Sequence, residues 1–345
     1  MRGLVVGLGS IGRRHARNWA ALGLGPLLVC RRIGSEQVEP LGVEAREIFD
    51  LDAALNEQPD VVLVTNPTSL HVETACQALH AGAHVFVEKP LGHELNGVAE
   101  LLCQAKRARQ QLMVGYNLRF HPGLARMKDL VTQRAIGTLV SARAEVGEYL
   151  PGWHPGEDYR RGYSARRDLG GGPVLTFSHE LDALCWLLGA PSRVMGMTAH
   201  ASSLEIDTED VAELMLRFPH GALGSVHVDF VRRPPSRSLE IVGEEGVLRW
   251  EYDTGRVLHY APAVGHWRVE EIDPRFERNQ MYLAELRHFV ACVRGEIERP
   301  LIDGEQGAAV LAIALAGLRA AAAGQAIDLN DAGAPITTWL TSLGR

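Results

Sequence analysis

The stretch from residue 3 to residue 22 constrains the fold more than any other part of the chain. The apolar run Leu4-Val5-Val6 leads directly into Gly7-Leu8-Gly9-Ser10-Ile11-Gly12, and a helical pattern follows to Leu22. Glycines at this spacing permit a tight turn, let a pyrophosphate approach the backbone, and let helix and strand pack closely. The sequence therefore predicts a βαβ unit that binds a dinucleotide cofactor at the helix amino terminus, with a turn that only packs the helix as the alternative. The predicted contacts are Gly7, Gly9, Ser10, Ile11 and Gly12.

The second predicted strand, residues 27–30, is followed by two arginines. A site that prefers NAD(H) usually has an acidic side chain here, where it accepts hydrogen bonds from the adenosine ribose. Arg31 and Arg32 can instead hold a 2′-phosphate by charge-assisted hydrogen bonds. We therefore expect NADP(H) to be preferred and NAD(H) to be possible, unless both arginines are simply solvated at the strand end.

Strands and helices continue to alternate as far as residue 114, which is typical of a parallel sheet with crossover helices. Thr65-Asn66-Pro67 and Glu88-Lys89-Pro90 each end a strand, and such ends open onto one crevice. Lys89, partly desolvated there, could handle protons near neutral pH, unless Glu88 and Lys89 are merely a solvated charge pair. The predicted cofactor contacts on these segments are Thr65, Asn66, Pro67, His71 and Glu88.

The pattern changes after residue 118. Eight strand-like runs lie between residues 139 and 272, and several of them are separated by short turns, as an antiparallel sheet requires. Helical patterns cover 123–132, 277–293 and 305–323. We predict an α/β protein with an N-terminal Rossmann domain, residues 1–118, and a C-terminal α+β domain, residues 119–345, with a large, mostly antiparallel open sheet.

Composition excludes several classes of function. The 345 residues are 46% hydrophobic, the net charge is -7 and the sequence pI is near 6.1, which argues against general nucleic-acid binding. Five scattered cysteines without a Cys-x-x-Cys pair make zinc and disulfides improbable, so we expect no metal site and a reducing compartment. The start lacks a signal-peptide pattern, and residues 308–323 look too short and weakly apolar to span a bilayer, which favours a cytoplasmic protein without a membrane partner.

Four motifs occur in a telling order: Gly-Leu-Gly-Ser-Ile-Gly, Thr-Asn-Pro-Thr-Ser-Leu-His, Glu-Lys-Pro, and Ser-His-Glu-Leu-Asp. With them the chain resembles the Gfo/Idh/MocA oxidoreductase family over nearly its whole length. The resemblance implies a nicotinamide-dependent enzyme that acts on sugars, inositols or nucleotide sugars, and a second domain that mediates homodimers or homotetramers. It also implies that Lys89 and His179 are catalytic and that Asp182 contacts the substrate.

The spacing of His179 and Asp182 makes independent sense, because residues three apart lie on one face of a helix. The alternatives are a histidine satisfied by backbone groups and a first-turn acid favoured by the helix dipole. One departure from the family pattern concerns the proton relay. Many members carry an aspartate four residues before the histidine, where this sequence has Leu175.

Residues 149–167 are rich in aromatics and arginines, with proline and glycine to hold a loop. Aromatic faces suit sugar rings and arginines suit carboxylates or phosphates, so this segment could cover an acidic or nucleotide-sugar substrate. An oligomer-contact loop is the alternative. The predicted substrate contacts are Asn117, Arg119, Arg160, Tyr163, Arg166 and Asp182.

These observations predict an oxidoreductase that interconverts a secondary alcohol and a ketone on a sugar-like substrate. Two other functions stay open at this point. One is a non-catalytic nicotinamide sensor, which Leu175 leaves possible. The other is the cofactor-dependent glycosidase activity found in some members of the family that the chain resembles.

Overall fold

The computed structural model describes residues 1–31, 40–270, 272–273 and 275–329. The chain divides into two compact units. The first contains Met1–Asn117 and Glu277–Ala308, and the second contains Leu118–Phe276 and the chain from Ala309 onward.

The first unit is built on a six-stranded parallel sheet with the order β3-β2-β1-β4-β5-β6. Its strands are β1 Gly3–Val6, β2 Leu27–Cys30, β3 Arg46–Ile48, β4 Val61–Val64, β5 His84–Glu88 and β6 Leu112–Gly115. Every residue of β1, β2, β4 and β6 is buried, as expected for strands covered on both faces. The strand order reverses direction at β1, which pairs with β2 on one side and β4 on the other. Ligands bind at such a reversal in open α/β sheets.

The helices of the first unit connect these strands and cover the sheet. They are α1 Ser10–Ala21, α2 Leu51–Asn56, α3 His71–His80 and α4 Val98–Ala108. The sequence pattern missed β3 and α2, because β3 is a three-residue edge strand with two exposed polar residues. It also placed the start of α4 five residues too early, since Gly97 precedes this helix in a left-handed conformation that ends any continuous helical run from His93.

The last segment of the first unit comes from the far end of the chain. Helix α8, Arg278–Val293, packs Tyr282 edge-on against His15 and Phe289 edge-on against Phe86. The sequence expectation placed all of residues 119–345 in the second domain. The structure groups Glu277–Ala308 with the first unit, because these aromatic side chains complete its core.

The second unit is built on a nine-stranded sheet with the order β14-β13-β12-β11-β7-β10-β9-β8-β15. Its strands are β7 Leu139–Gly147, β8 Arg193–Ala199, β9 Val211–Arg217, β10 Leu223–Asp229, β11 Ser236–Gly243, β12 Gly246–Glu251, β13 Val257–Ala261, β14 His266–Glu270 and β15 Ile327–Asp328. Only the pairing of β10 with β7 is parallel. The predicted α/β class, a Rossmann domain followed by a mostly antiparallel sheet, is therefore confirmed.

The helices of the second unit precede β7, connect β7 to β8, and precede β15. They are α5 Pro122–Thr132, α6 Pro173–Thr176, α7 His179–Leu188 and α9 Gly304–Ala323, which begins in the first unit. Among the described residues, α9 is the one helix long and apolar enough to cross a membrane by length and composition. The sequence expectation rested on residues 308–323, whereas the helix begins at Gly304, and more than half of its apolar window is buried inside the fold, as in the core helix of a globular domain. All five cysteines carry free thiols.

Candidate active site

The turn between β1 and α1 has the geometry that its three glycines predict. Gly7 adopts φ +95°, a conformation that side chains disfavour. A Cβ on Gly12 would clash with the Gly7 carbonyl and lie 2.7 Å from Thr65 Oγ1, so Gly12 permits close packing. A Cβ on Gly9 would meet nothing within 4 Å. The space beside Gly9, at the first turn of α1 with Ser10 and Ile11, is therefore open to an incoming pyrophosphate.

The arginine that follows β2 is held in place by two neighbours. Arg31 Nε donates to Glu47 Oε2 over 2.9 Å, and the guanidinium lies 5.1 Å from the centre of the Phe49 ring. Both partners come from the β3 segment that the sequence pattern missed. Glu47 places a carboxylate beside the group expected to bind a 2′-phosphate. Arg32, the other predicted contact, lies outside the described residues.

The end of β4 is held by the side chains of two predicted contacts, Thr65 and Asn66. Thr65 Oγ1 lies 2.7 Å from the Gly7 carbonyl oxygen and 3.0 Å from that of Val6, so its single O–H can donate to either and ties this strand end to the glycine turn. Asn66 Nδ2 donates to Thr74 Oγ1 over 2.8 Å, and Pro67 precedes a short 3₁₀ turn. These bonds join the end of β4 to the first glycine turn and to α3.

His71 lies at the start of α3 and is 2% exposed. Its Nδ1 is 2.8 Å from the Pro90 carbonyl oxygen and its Nε2 is 2.9 Å from the Asn66 carbonyl oxygen. Burial lowers the pKa of this imidazole, and its two backbone contacts oppose that decrease. Both ring nitrogens therefore face the protein backbone, a geometry that joins two strand ends.

Lys89 directly follows β5 and is half-buried. Its backbone N–H donates to Glu88 Oε2 over 3.2 Å, and the Lys89–Pro90 peptide bond is cis. The other Glu88 oxygen, Oε1, is 2.8 Å from His15 Nε2, and His15 is completely buried. The alternative that Glu88 and Lys89 form a solvated charge pair is excluded for Glu88, whose carboxylate is enclosed and bonded to a histidine of α1.

The second set of predicted residues belongs to the second unit. His179 is the first residue of α7 and is buried, with Ser178 as the residue that precedes the helix. Leu175, which stands where many family members have an aspartate, is buried in α6. Glu180, which follows His179 in α7, is buried, and its Oε1 lies 2.8 Å from Arg237 Nε.

Asp182 forms a buried ion pair with Arg119. Arg119 Nε and Nη2 donate to the two carboxylate oxygens over 3.0 and 2.6 Å, and the two side chains are 4% and 1% exposed. Burial raises the pKa of Asp182, and the Arg119 guanidinium opposes that rise. Both were predicted substrate contacts. In the structure the two side chains are hydrogen-bonded to each other. Asn117, a third predicted substrate contact, begins the same 3₁₀ turn as Arg119 and is also buried.

Residues 149–167 are anchored to the rest of the second unit at both ends. Trp153 packs edge-on against Phe177 and Phe230. The backbone N–H groups of Gly171 and Gly172 donate to the carbonyls of Arg166 and Ser164. Tyr163 is half-buried and begins a 3₁₀ turn that ends at Ala165. These contacts leave little freedom for either end of the segment to move.

The two predicted arginines of this segment face carboxylates. Arg160 bonds Asp158 over 2.7 Å and Glu205 over 2.8 Å. Arg166 bonds Asp168 through two contacts of 3.0 and 2.6 Å. All of these pairs are solvent-exposed, so they are weak and a stronger anion can replace them.

Sequence reasoning missed three residues that shape these sites: His15, Glu47 and Glu209. His15 could have been found, because it occupies the buried face of α1 beside Ala16 and Trp19, and a buried imidazole requires a polar partner. Glu209 accepts a hydrogen bond from the backbone of Val174, and burial raises its pKa. No local pattern marks Glu209 or Glu47.

Two family models match the chain. One, described as an oxidoreductase family with an NAD-binding Rossmann fold, matches residues 1–116, and the other, the GFO/IDH/MocA C-terminal domain, matches residues 124–249. Together they cover well over half of the sequence. The chain belongs to the Gfo/Idh/MocA family. The resemblance noted from the sequence motifs is thereby confirmed, and the chain is a nicotinamide-dependent oxidoreductase.

Individual relatives extend over nearly the whole chain. Myo-inositol 2-dehydrogenase of Thermotoga maritima is 28% identical, covering 96% of this chain and 99% of its own. The WlbA dehydrogenase of Bordetella pertussis, solved with NADH and UDP-GlcNAcA, is 26% identical with a TM-score of 0.81, covering 95% of this chain and 98% of its own. Levoglucosan dehydrogenase in complex with NADH has the same fold, with 20% identity, the same coverage and a TM-score of 0.84.

Proposed function

We propose that this oxidoreductase interconverts a secondary alcohol and a ketone on a sugar, inositol or nucleotide sugar, with Lys89 and His179 as its catalytic residues. The observation that carries the proposal is the placement of Lys89 directly after β5, beside a Glu88 carboxylate that His15 holds in place. The substrate class is supported by the named activities of relatives, which include an inositol dehydrogenase and a UDP-sugar dehydrogenase.

The first unit fits a nicotinamide dinucleotide. The open space beside Gly9 and the exposed first turn of α1 suit a pyrophosphate, and Thr65, Asn66 and Pro67 lie at the end of the neighbouring strand β4. When bound, the cofactor accepts or supplies hydride at its nicotinamide ring. In this proposal Lys89 and His179 are the proton-handling residues, because one proton leaves the substrate hydroxyl in oxidation and returns to the oxygen in reduction.

The catalytic roles are tested by replacing Lys89 and His179 separately with alanine. A panel of sugars, inositols and nucleotide sugars is first screened with both cofactors by absorbance of the reduced nicotinamide. Each variant should lose about 10²–10⁴-fold in kcat, the usual contribution of a proton-transfer group, and should keep its NADH affinity. Full turnover by Lys89→Ala would refute the mechanism.

We also propose that NADP(H) is the preferred cofactor and NAD(H) a weaker one. Arg31, fixed between Phe49 and Glu47, supplies a guanidinium for the 2′-phosphate. Two relatives have been solved in complex with NADH, so a preference for NAD(H) is the alternative. Fluorescence titration decides between them, since tighter binding of NADH than of NADPH contradicts the proposal.

Arg160, Tyr163 and Arg166 remain our candidate substrate contacts in residues 149–167. The ion pairs of the two arginines are exposed and screened by water, so an anionic substrate can exchange with Asp158, Glu205 and Asp168. Alanine at Arg160 or Arg166 should raise KM for the true substrate. Unchanged kinetics in both variants would remove this role.

We further propose a homodimer or homotetramer that uses the open face of the nine-stranded sheet. Met195, Met197, Met215 and Leu223 are exposed on adjacent strands of this face. Further along the same sheet, Arg143 of β7 lies opposite Glu240 of β11, so the surface carries both signs of charge beside its apolar residues, as a patch that meets its own copy across a two-fold axis can use. Light scattering of the native chain tests this, with Met197→Asp expected to shift the mass toward the monomer.

A further inference from the structure

The three residues Glu88, Lys89 and Pro90 are fastened on both sides of the lysine by buried histidines. On one side, His15 Nε2 contacts Glu88 Oε1 over 2.8 Å, and the second Glu88 oxygen accepts the Lys89 backbone N–H. On the other side, His71 Nδ1 contacts the Pro90 carbonyl over 2.8 Å. The backbone is therefore held at the N–H group of Lys89 and at the carbonyl group of the following residue, Pro90.

His15 is completely enclosed and is placed by packing. Its ring packs edge-on against Phe86 of β5, with 5.1 Å between the ring centres, and against Tyr282 of α8, with 6.2 Å between the ring centres. Its Nδ1 is buried without a hydrogen-bond partner among the described residues, so the contact with Glu88 is the polar interaction that fixes the ring. Because an ionised carboxylate only accepts, Nε2 carries the proton in this contact.

His71 contacts two acceptors with one ring. Both the Asn66 and the Pro90 carbonyl oxygens lie within 2.9 Å of its nitrogens. A neutral imidazole has a single N–H, so it donates to only one of them at a time, whereas the imidazolium donates to both. His71 therefore links the ends of β4 and β5 through a contact that protonation strengthens.

The two histidines approach from opposite faces of the sheet. The chain moves from β1 to β2 through α1 in one direction along the sheet, and from β4 to β5 through α3 in the other. Right-handed crossovers in opposite directions place their helices on opposite faces. Contacts from both faces restrict movement of the Lys89 backbone perpendicular to the sheet, and catalysis requires such fixed positions of the reacting groups.

We propose that His15 and His71 are positioning residues for Lys89. They contact no reacting atom and act through Glu88 and Pro90. The inference rests on the proposed catalytic role of Lys89, but the placement of the lysine can be measured without a substrate. The chain has three lysines, Lys89, Lys106 and Lys128, so two of them serve as internal references.

The first experiment measures side-chain reactivity. Wild type, His15→Leu, His15→Gln, His71→Leu and His71→Gln are acetylated with a trace of acetic anhydride between pH 6 and 10, and each lysine is quantified by mass spectrometry. The control is His84→Gln, at the opposite end of β5, where the imidazole accepts the Gln111 backbone N–H. We expect the Lys89 to Lys106 rate ratio to change at least threefold in the leucine variants, less in His15→Gln, and not in the control.

The second experiment measures turnover at matched concentrations of folded enzyme. We expect kcat to fall about 10–100-fold in the leucine variants, the range produced by a misplacement of about 1 Å, while KM for the cofactor stays within twofold. His15→Gln should recover part of kcat because an amide still donates to Glu88. If leucine variants unfold, the glutamine variants carry the test.

The two hypotheses fail separately. Unchanged Lys89 labelling in every folded histidine variant overturns the positioning role, whatever the kinetics. Full activity in Lys89→Ala overturns the catalytic role, even where the labelling ratio changes as expected. A loss of thermal stability with kcat and labelling both unchanged would show that the histidines only stabilise the fold, and would overturn the inference.

Discussion

Replacing Asp182 with asparagine decides whether this residue anchors a helix or binds a substrate. The substitution removes the carboxylate charge that Arg119 meets through hydrogen bonds of 3.0 and 2.6 Å, and the guanidinium that loses it is only 4% exposed. Breaking a buried pair in this way costs about 3–5 kcal/mol, because the remaining charge stays desolvated. Urea unfolding measures the loss.

The chain offers a matched control. Asp168 and Arg166 form a pair with contacts of 3.0 and 2.6 Å, but their side chains are 59% and 47% exposed. Asp168→Asn should therefore cost much less stability than Asp182→Asn, because water screens both exposed charges. The double replacement of Arg119 and Asp182 by leucine should recover much of the stability that Asp182→Asn loses, since it leaves no charge unpaired.

The outcome separates the two roles of Asp182. An anchoring role predicts a large loss of stability and a fall in kcat, because the same helical turn carries His179. A direct substrate contact predicts a raised KM with a stability loss no larger than that of the Asp168→Asn control. The second pattern would refute the reasoning from burial.

Three further predictions concern the cofactor site and the open sheet. Glu47→Gln removes the carboxylate that competes for Arg31, so NADPH should bind roughly three- to fivefold tighter with NADH unchanged in fluorescence titrations; equal effects on both cofactors would count against the 2′-phosphate role. Gly9→Ala should weaken NADH binding at least tenfold without a change in Tm, whereas Gly12→Ala should lower both, because only the second Cβ meets protein atoms; undiminished NADH affinity in Gly9→Ala would contradict the pyrophosphate site. Hydrogen bonds to Asp229 and then Glu213 raise the pKa of His227 from 6.5 to about 9, so the wild type should be about 1–3 kcal/mol more stable than His227→Gln below pH 6.5 and lose this advantage as the pH rises through about 9; a pH-independent difference in urea unfolding would exclude the ion pair.

Much of the fold was predictable because its signals are local. The fully apolar strands β1, β2 and β4 read directly as buried parallel strands, and the glycine turn fixed the first crossover. The short edge strand β3 was not predictable, since exposed polar residues in an edge strand give no periodic signal.

The side-chain pairings of the site could not be predicted in the same way. His15 and Glu88 are 73 residues apart, and Arg119 and Asp182 are 63 apart, so only the folded chain brings them together. The sequence identified Glu88, Arg119 and Asp182 as polar residues near motifs and assigned them to ligands. In the structure all three are buried and have partners within the protein, because an enclosed charge needs a counter-charge more than an exposed one does, and no local pattern indicates those partners.

The membership of Glu277–Ala308 in the first unit has a consequence for how the chain is made. A ribosome completes residues 1–117 long before it reaches α8, and at about 5–20 residues per second the delay is roughly ten to thirty seconds. During that time His15 and Phe86 lack Tyr282 and Phe289, the aromatic side chains that later cover them. Part of the apolar surface of the nascent first unit therefore stays open to solvent and to chaperones until α8 is made. Synthesis of the last third of the chain, not of the first, determines when the core of this unit can be completed.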